Sequence, residues 1–237
     1  KTDYNQLSDI IISNKTTTID WINTYGNSYE TIFKKIVSQN TLDDFLLKLF
    51  NDKEHQNKVI LLDDVVFIST KILVTTDKTL NYEQMIFLVS SSYLWSIQEK
   101  NGDYFNWIRE RLENNKGIVR RKKTDYLLFL ILESIVDNYQ DTYQQNAALS
   151  ADRLNASQIK PTPAFTAAVE NRKQELFNFK KAALGLMNTI VKLEKIEIDN
   201  FDIKYFSEIK EETNHLISNI DFELQELESK INLIFSI

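Results

Sequence analysis

From Asp202 to Ile237 the chain contains neither glycine nor proline, and this segment limits the possible fold more than any other. From Leu216 on, its apolar residues recur in steps of four, four, three, four and three: Leu216, Ile220, Leu224, Leu227, Ile231 and Ile234. This near-heptad rhythm predicts one helix about 50 Å long, at 1.5 Å per residue. A single helix of that length is not stable alone, so we expect its apolar stripe to pack on partners.

The rest of the chain is also poor in residues that break helices, with only 4 Gly and 2 Pro among 237 residues. Two further long helices are predicted, over Tyr126–Leu154 and Ala164–Leu193, and the Lys160–Pro163 segment separates them. We interpret this pair as a helical hairpin, joined to the last helix by a connector over Ile196–Asp202.

The first half of the chain mixes strand and helix patterns. Runs rich in β-branched and aromatic residues predict strands over Thr18–Asn23, Val65–Thr76, Tyr82–Ser90 and Tyr93–Gln98. Helical spacing of apolar residues predicts helices over Tyr29–Val37, Leu42–Phe50 and Tyr104–Asn115. Thr41 is the expected N-cap of the second of these helices, with Asp43 and Asp44 in its first turn, where the helix dipole favours acids.

Composition excludes several classes of function. The chain has no Cys and two His, which rules out thiolate sites and is too few histidines for a typical zinc cage. Its net charge of −6 disfavours nucleic acid and would attract cations. No glycine-rich phosphate loop or recognisable nucleophile motif is present, so we expect no enzyme. His55 is expected in a turn and His215 on the surface of the last helix.

Charge is uneven along the chain. Residues 200–237 hold eight acids and three bases, whereas Arg120–Lys123 is an uninterrupted basic run. Such a run could contact acidic lipid or nucleic acid. The simpler interpretation is a solvated turn that pairs with acids of neighbouring helices. No apolar run approaches the roughly 18 residues needed to span a bilayer. The chain starts at Lys1 and stops in an apolar stretch, so we interpret it as a piece of a longer protein.

The segment from Glu83 to Tyr139 resembles the CorA family of magnesium transporters. The family's pattern of EQV, FQEK, GD, F, RERI, a basic GIRKK turn, DYLLY and DAIVDNY is matched in order. The matching residues are Glu83-Gln84, Ile97–Lys100, Gly102-Asp103, Phe105, Arg109–Leu112, Gly117-Ile118, Arg120–Lys123, Asp125–Leu128 and Ile135–Tyr139. Weaker matches at Thr18–Asn23, Val65–Lys71, His55–Lys58 and Tyr205-Phe206 extend the resemblance over about nine-tenths of the chain.

The resemblance implies an α+β fold: an α/β/α N-terminal domain with a mixed sheet, a helical hairpin, and a long stalk helix that leads to the first membrane helix. The corresponding ranges are 1–123, 124–195 and 196–237. It also implies a homopentamer in the inner (plasma) membrane, with this part on the cytoplasmic side. The family's Gly-Met-Asn signature would follow the first membrane helix, after Ile237.

The resemblance further implies a regulatory divalent cation, Mg²⁺, held between carboxylates of neighbouring subunits so that the bound ion keeps the pore closed. The stalk carboxylate of the family's Tyr-Phe-x-Asp pattern corresponds to Glu208, with Glu211 one turn further along. The N-terminal acid corresponds to Asp44 in Leu42–Leu46. Matching by the distance to His55 instead gives Leu49 and Phe50, which cannot bind a cation. The family's acid-rich stretch of the first hairpin helix is replaced by Tyr143–Ser157, where Asp152 is the one acid.

Three alternatives stay open at this point. The same scaffold could serve Zn²⁺ or another divalent cation. It could also be a structural domain that assembles without sensing an ion, in which case Glu208 and Glu211 lie on a solvated helix face and Asp44 only stabilises a helix start. A generic coiled-coil scaffold, unrelated to transport, is the third alternative, and the Glu83–Tyr139 match argues against it.

Overall fold

The structure is a computed structural model of the chain, and it describes residues 12, 18–26, 29–52, 57–76, 79–102, 104–156, 162–197, 201–202 and 204–235. The described strands are β1 (Asp20–Tyr25), β2 (Lys58–Leu62), β3 (Val65–Thr76), β4 (Thr79–Val89) and β5 (Tyr93–Gln98). The described α-helices are α1 (Tyr29–Gln39), α2 (Phe45–Asn51), α3 (Asn106–Glu113), α4 (Thr124–Ala156), α5 (Pro163–Leu193) and α6 (Lys204–Phe235). A short 3-10 helix, Val119–Arg121, lies between α3 and α4.

The strands form one mixed sheet in the order β1-β5-β4-β3-β2. The edge strand β1 runs parallel to β5, in the register Ile22↔Trp95, and the other neighbours are antiparallel. The parallel pair is possible because a long crossover, which contains α1 and α2, separates β1 from the rest of the sheet. The predicted mixed sheet is therefore confirmed.

Helices cover both faces of this sheet, because successive side chains of a strand point to opposite sides. On one face Trp95 and Ile97 pack with α1 and α2, where the rings of Phe33 and Phe50 stack with centroids 4.1 Å apart. On the other face Leu94 and Phe87 join a larger core that includes residues of α3, α4, α5 and α6. The α/β/α arrangement expected for the N-terminal part is confirmed.

Two local predictions in the N-terminal part were wrong. Strand β2 was not predicted, because its mixture of Lys58 and apolar residues is short and follows a polar stretch. Its pairing with β3 supplies the hydrogen bonds that its own sequence does not specify. Thr41 is not a helix cap: its φ is +50°, and α2 begins at Phe45 with Asp44 at the N-cap position. His55 lies outside the described residues.

The long helices were predicted well. Helix α4 begins two residues before the predicted Tyr126, and α5 begins one residue before Ala164. Helix α6 has 32 residues, or about 48 Å at 1.5 Å per residue. These helices run without interruption because glycine and proline are nearly absent from them.

The apolar stripe of α6 packs inside this chain. Ile209, Leu216, Ile220, Leu224 and Leu227 are each at most 8% exposed, in contact with the core that α4 and α5 share. We inferred self-association from this stripe, and that inference was wrong, since the hairpin already covers it. Any assembly of several chains must therefore use other surfaces.

Candidate functional site

Carboxylates face each other between α4 and α6, and we call this set the acidic face. Helix α4 contributes Glu133 and Asp137, four residues apart, and α6 contributes Glu208 and Glu212, also four apart. Residues at this spacing lie one above the other on the same side of a helix. The packing of α4 against α6 then brings the two pairs towards each other.

Electrostatics show that these groups interact. The pKa of Glu133 is raised, first by burial and then by the negative charges of Asp137, Glu212 and Glu208. Arg111, near the end of α3, partly offsets this rise. Burial is the main cause, because a carboxylate loses part of its hydration when neighbouring helices cover it.

The same causes act on two other members of the acidic face. Burial, followed by the charge of Asp141, raises the pKa of Asp137. Burial, followed by the charges of Asp137 and Glu208, raises the pKa of Glu212. Each charge is therefore more costly in the folded chain than in water, and a bound cation would reduce that cost.

The three predicted metal ligands do not lie in equivalent places. Glu208 is exposed on α6 and acts on the carboxyls of Glu133 and Glu212. Glu211 is also exposed but is not among the charges that raise the pKa of those groups. A step of four residues turns a helix by about 40° and a step of three by about 60° the other way. Glu212 therefore shares the side of Glu208 that faces α4.

Asp44 lies on the other side of the molecule. It is exposed at the start of α2, and its neighbour Asp43 accepts a hydrogen bond from the backbone N–H of Phe45 at 2.8 Å. Since α2 covers one face of the sheet and α6 belongs to the other, the sheet separates Asp44 from Glu208 within one chain. One ion could contact both residues only if they came from two different chains.

Sequence reasoning missed Glu133, Asp137 and Glu212. The available signal was the four-residue spacing of Glu133-Asp137-Asp141 on the first hairpin helix, together with Glu208-Glu212 on the last. That signal could not be used from the sequence alone, because it does not specify which sides of two helices meet.

The acidic face is an incomplete metal site. Among the residues that the structure describes, no three carboxylate or imidazole groups are placed so that they could hold a metal ion. Carboxylates in a looser arrangement suit a cation that keeps its water, as Mg²⁺ does when one or two carboxylates bind it. In the same described ranges, no helix combines the length and the apolar character that a bilayer crossing needs.

Comparison with known proteins shows similarity in both sequence and fold. The cobalt/magnesium transport protein CorA of Thermotoga maritima is 31% identical over 122 residues, which are 50% of this chain and 34% of that protein's length. The chain therefore corresponds to about a third of the curated relative that it matches. No protein-family model matches the chain.

Two solved structures share the fold. The soluble domain of CorA from Methanocaldococcus jannaschii superimposes with a TM-score of 0.74 at 14% identity, covering 91% of this chain and 87% of that one. The ZntB cytoplasmic domain from Vibrio parahaemolyticus gives a TM-score of 0.71 at 15% identity, covering 91% and 86%. At these identities the likeness concerns the fold alone, and it extends over the sheet, the hairpin and the long last helix.

Proposed function

Because this chain is a CorA-type domain, we propose that it is the cytoplasmic ion-sensing and gating part of a magnesium-transporting channel in the inner (plasma) membrane. The observation that carries the proposal is the acidic face, where Glu208 of the last helix acts on Glu133 of the hairpin. Helix α6 would continue into the membrane, so a charge change at Glu208 lies on the element that leads to the pore.

The sensing step follows from electrostatics. Without a cation, the carboxylates of Glu133, Asp137, Glu208 and Glu212 repel one another across α4 and α6. A divalent cation removes this repulsion and favours the arrangement in which the carboxylates lie close together. Loss of the ion restores the repulsion and favours movement of α6 or of whole subunits, which would open the pore.

A neighbouring chain would complete the site. The acidic face alone lacks three ligands in suitable positions, and Asp44 is separated from it by the sheet within one chain. In a homopentamer, Asp44 of one subunit could approach Glu208 or Glu211 of the next. The ion would then depend on assembly, and assembly on the ion.

Mg²⁺ is the favoured ion because every candidate ligand is a carboxylate. Oxygen ligands suit Mg²⁺, whereas Zn²⁺ sites in proteins usually include His or Cys. The chain has no Cys, and the described His215 is exposed on α6. Zn²⁺ or another divalent cation is the alternative cargo on this scaffold. The proposed activity is ion conduction without any chemical conversion.

A second candidate function is assembly without ion sensing, and the incomplete ligand set favours it. In that case the fold would hold subunits together around a pore that is regulated elsewhere. The two candidates differ in one measurable property, which is whether the assembled domain binds Mg²⁺ saturably.

Calorimetric titration with Mg²⁺ tests the proposal, with Zn²⁺ as the comparison ion and native mass spectrometry to give the number of chains. We expect saturable binding that weakens about tenfold or more in Glu208→Ala, since one of few charged ligands is lost. Glu133→Gln and Asp44→Ala test the acidic face and the neighbouring chain separately. An assembled domain that binds no Mg²⁺ would exclude sensing and leave the assembly function.

A further inference from the structure

A second charged surface of the chain has the opposite sign. A groove of about 520 Å³ lies where α4 and α6 begin, and the consecutive residues Arg121, Lys122 and Lys123 line one side of it. We call it the basic groove. The sequence suggested that this run pairs with acids of neighbouring helices, but Arg121 and Lys122 form no ion pair with any residue in the described part of the chain. In a chain with more acids than bases, two such cations beside a groove are available to an anion.

Well-packed residues hold the walls of the basic groove. Thr124, the first residue of α4, is 2% exposed and donates a hydrogen bond from Oγ1 to the carbonyl of Ser90 at 2.6 Å. Arg120 donates from Nε to the carbonyl of Leu112, which ties the preceding turn to α3. The positions of the three groove cations are therefore fixed by the sheet and by α3.

The two acids in the groove are already engaged. Asp125 accepts hydrogen bonds from the backbone N–H groups of Tyr126 and Asp202, both at 2.7 Å. Asp202 forms an ion pair with Lys204, with 2.6 Å between Oδ2 and Nζ. These carboxylates hold the starts of α4 and α6 in place, and they leave the basic run without a counter-charge.

Aromatic rings form the opposite side of the groove. Phe201 and Tyr205 line it, and Tyr205 packs edge-on against Tyr126 with the ring centroids 5.1 Å apart. The ammonium group of Lys122 lies 5.8 Å from the centroid of the Tyr205 ring. Cations next to half-exposed rings are a combination that binds phosphate groups and stacks a flat base.

We propose that the basic groove binds a soluble nucleoside di- or triphosphate, with the phosphates at Arg121–Lys123 and the base against Phe201 and Tyr205. An anionic lipid headgroup shares the phosphate chemistry. However, the groove lies at the N-terminal end of α6, about 46 Å from Phe235 at 1.5 Å per residue. Under the proposed function the membrane follows the other end of α6, which places a lipid surface out of reach.

The test is calorimetric titration of the whole chain with ADP and with pyrophosphate, in EDTA, so that the result does not depend on divalent-cation sensing. We expect saturable binding of ADP, about fivefold or more tighter than pyrophosphate because of base stacking. Binding should weaken about tenfold or more in the double variant Arg121→Glu/Lys123→Glu, because charge-assisted hydrogen bonds are lost. Lys34→Glu/Lys35→Glu is the matched control: it reverses two exposed cations on α1, across the sheet, and should bind ADP normally.

Three results would overturn the proposal. The first is no saturable ADP binding, and the second is equal weakening in both double variants, which would mean a general charge effect. The third is co-sedimentation with phosphatidylglycerol vesicles, lost in Arg121→Glu/Lys123→Glu, without binding of either soluble phosphate. If the groove variant does not fold by circular dichroism, the salt dependence of ADP binding to the unaltered chain replaces it. Affinity that does not fall as salt rises would then contradict an electrostatic phosphate site.

Discussion

Arg172 of α5 and Glu223 of α6 form a buried ion pair, with 2.7 Å between Nε and Oε1 and 2.6 Å between Nη2 and Oε1. The Arg172 side chain is 1% exposed, and its Nη1 also donates to Asn146 of α4. Tyr143 of α4 donates to the second oxygen of Glu223 at 2.8 Å. Through these contacts, one guanidinium and one carboxylate connect all three long helices.

Replacing Arg172 by Met should strongly destabilise the chain. The substitution leaves Glu223 partly buried without its cation, and breaking a buried pair costs about 3–5 kcal/mol. The measurement is the free energy of unfolding from urea denaturation. Lys180→Met is the control: Lys180 pairs with Asp221 at 2.7 Å on the surface, where an ion pair is worth about 0–1 kcal/mol. A similar loss in both variants would contradict the role assigned to Arg172.

The acidic face should make stability depend on pH. A carboxyl whose pKa is raised by folding binds its proton more tightly in the folded chain, so it favours folding at low pH and opposes it as pH rises. The pKa of Glu133 is raised in this way. Glu133→Gln should therefore be more stable than the unaltered chain at pH 7.5, by about 0.5–1 kcal/mol after allowance for solvent screening.

The difference between these two proteins should shrink towards about pH 4, where an unperturbed glutamate is itself protonated. Thermal unfolding between pH 4 and pH 8, with EDTA present, measures it. Glu211→Gln removes one charge from an exposed position that does not act on Glu133, and should show a smaller difference at every pH. If Glu211→Gln stabilises as much as Glu133→Gln, net charge rather than the acidic face is responsible.

Mg²⁺ should stabilise the chain more at pH 7.5 than at pH 5. Cation and protons compete for the same carboxylates, and the raised pKa values of Glu133, Asp137 and Glu212 extend that competition upward in pH. The midpoint of thermal unfolding, measured with and without Mg²⁺ at both pH values, tests this. The increase at pH 7.5 should disappear in the double variant Glu133→Gln/Glu208→Gln. An increase that is independent of pH would indicate binding at other groups.

Trp95 should be the most costly residue to remove from the core that α1 and α2 cover. It is 0% exposed, its ring lies 5.4 Å from that of Phe33, and its Nε1 donates to Thr24 at 3.0 Å. Trp95→Ala should cost about 3–5 kcal/mol, as for other large core residues. The exposed Phe45→Ala on α2 should stay within about 0.5 kcal/mol. Chemical denaturation followed by circular dichroism measures both, and a loss below about 2 kcal/mol for Trp95→Ala would contradict this core.

The sequence alone determined the elements whose pattern is long and regular. Helices α4, α5 and α6 follow from apolar spacing and from the scarcity of glycine and proline, and β3 follows from a run of β-branched residues. The resemblance at Glu83–Tyr139 supplied the α/β/α arrangement. Each of these is predictable because the signal lies within one segment and is repeated many times in it.

Tertiary structure decided the features that depend on two segments meeting. Strand β2 exists because β3 pairs with it, and the stripe of α6 is buried because its own hairpin covers it. The sequence pointed to Glu208, but only packing showed that Glu133 and Glu212 act with it and that the sheet separates it from Asp44. The reason is physical. Periodicity specifies which side of a helix is apolar, whereas burial, charge repulsion and the ion pair of Arg172 with Glu223 arise only where chain segments distant in sequence come into contact.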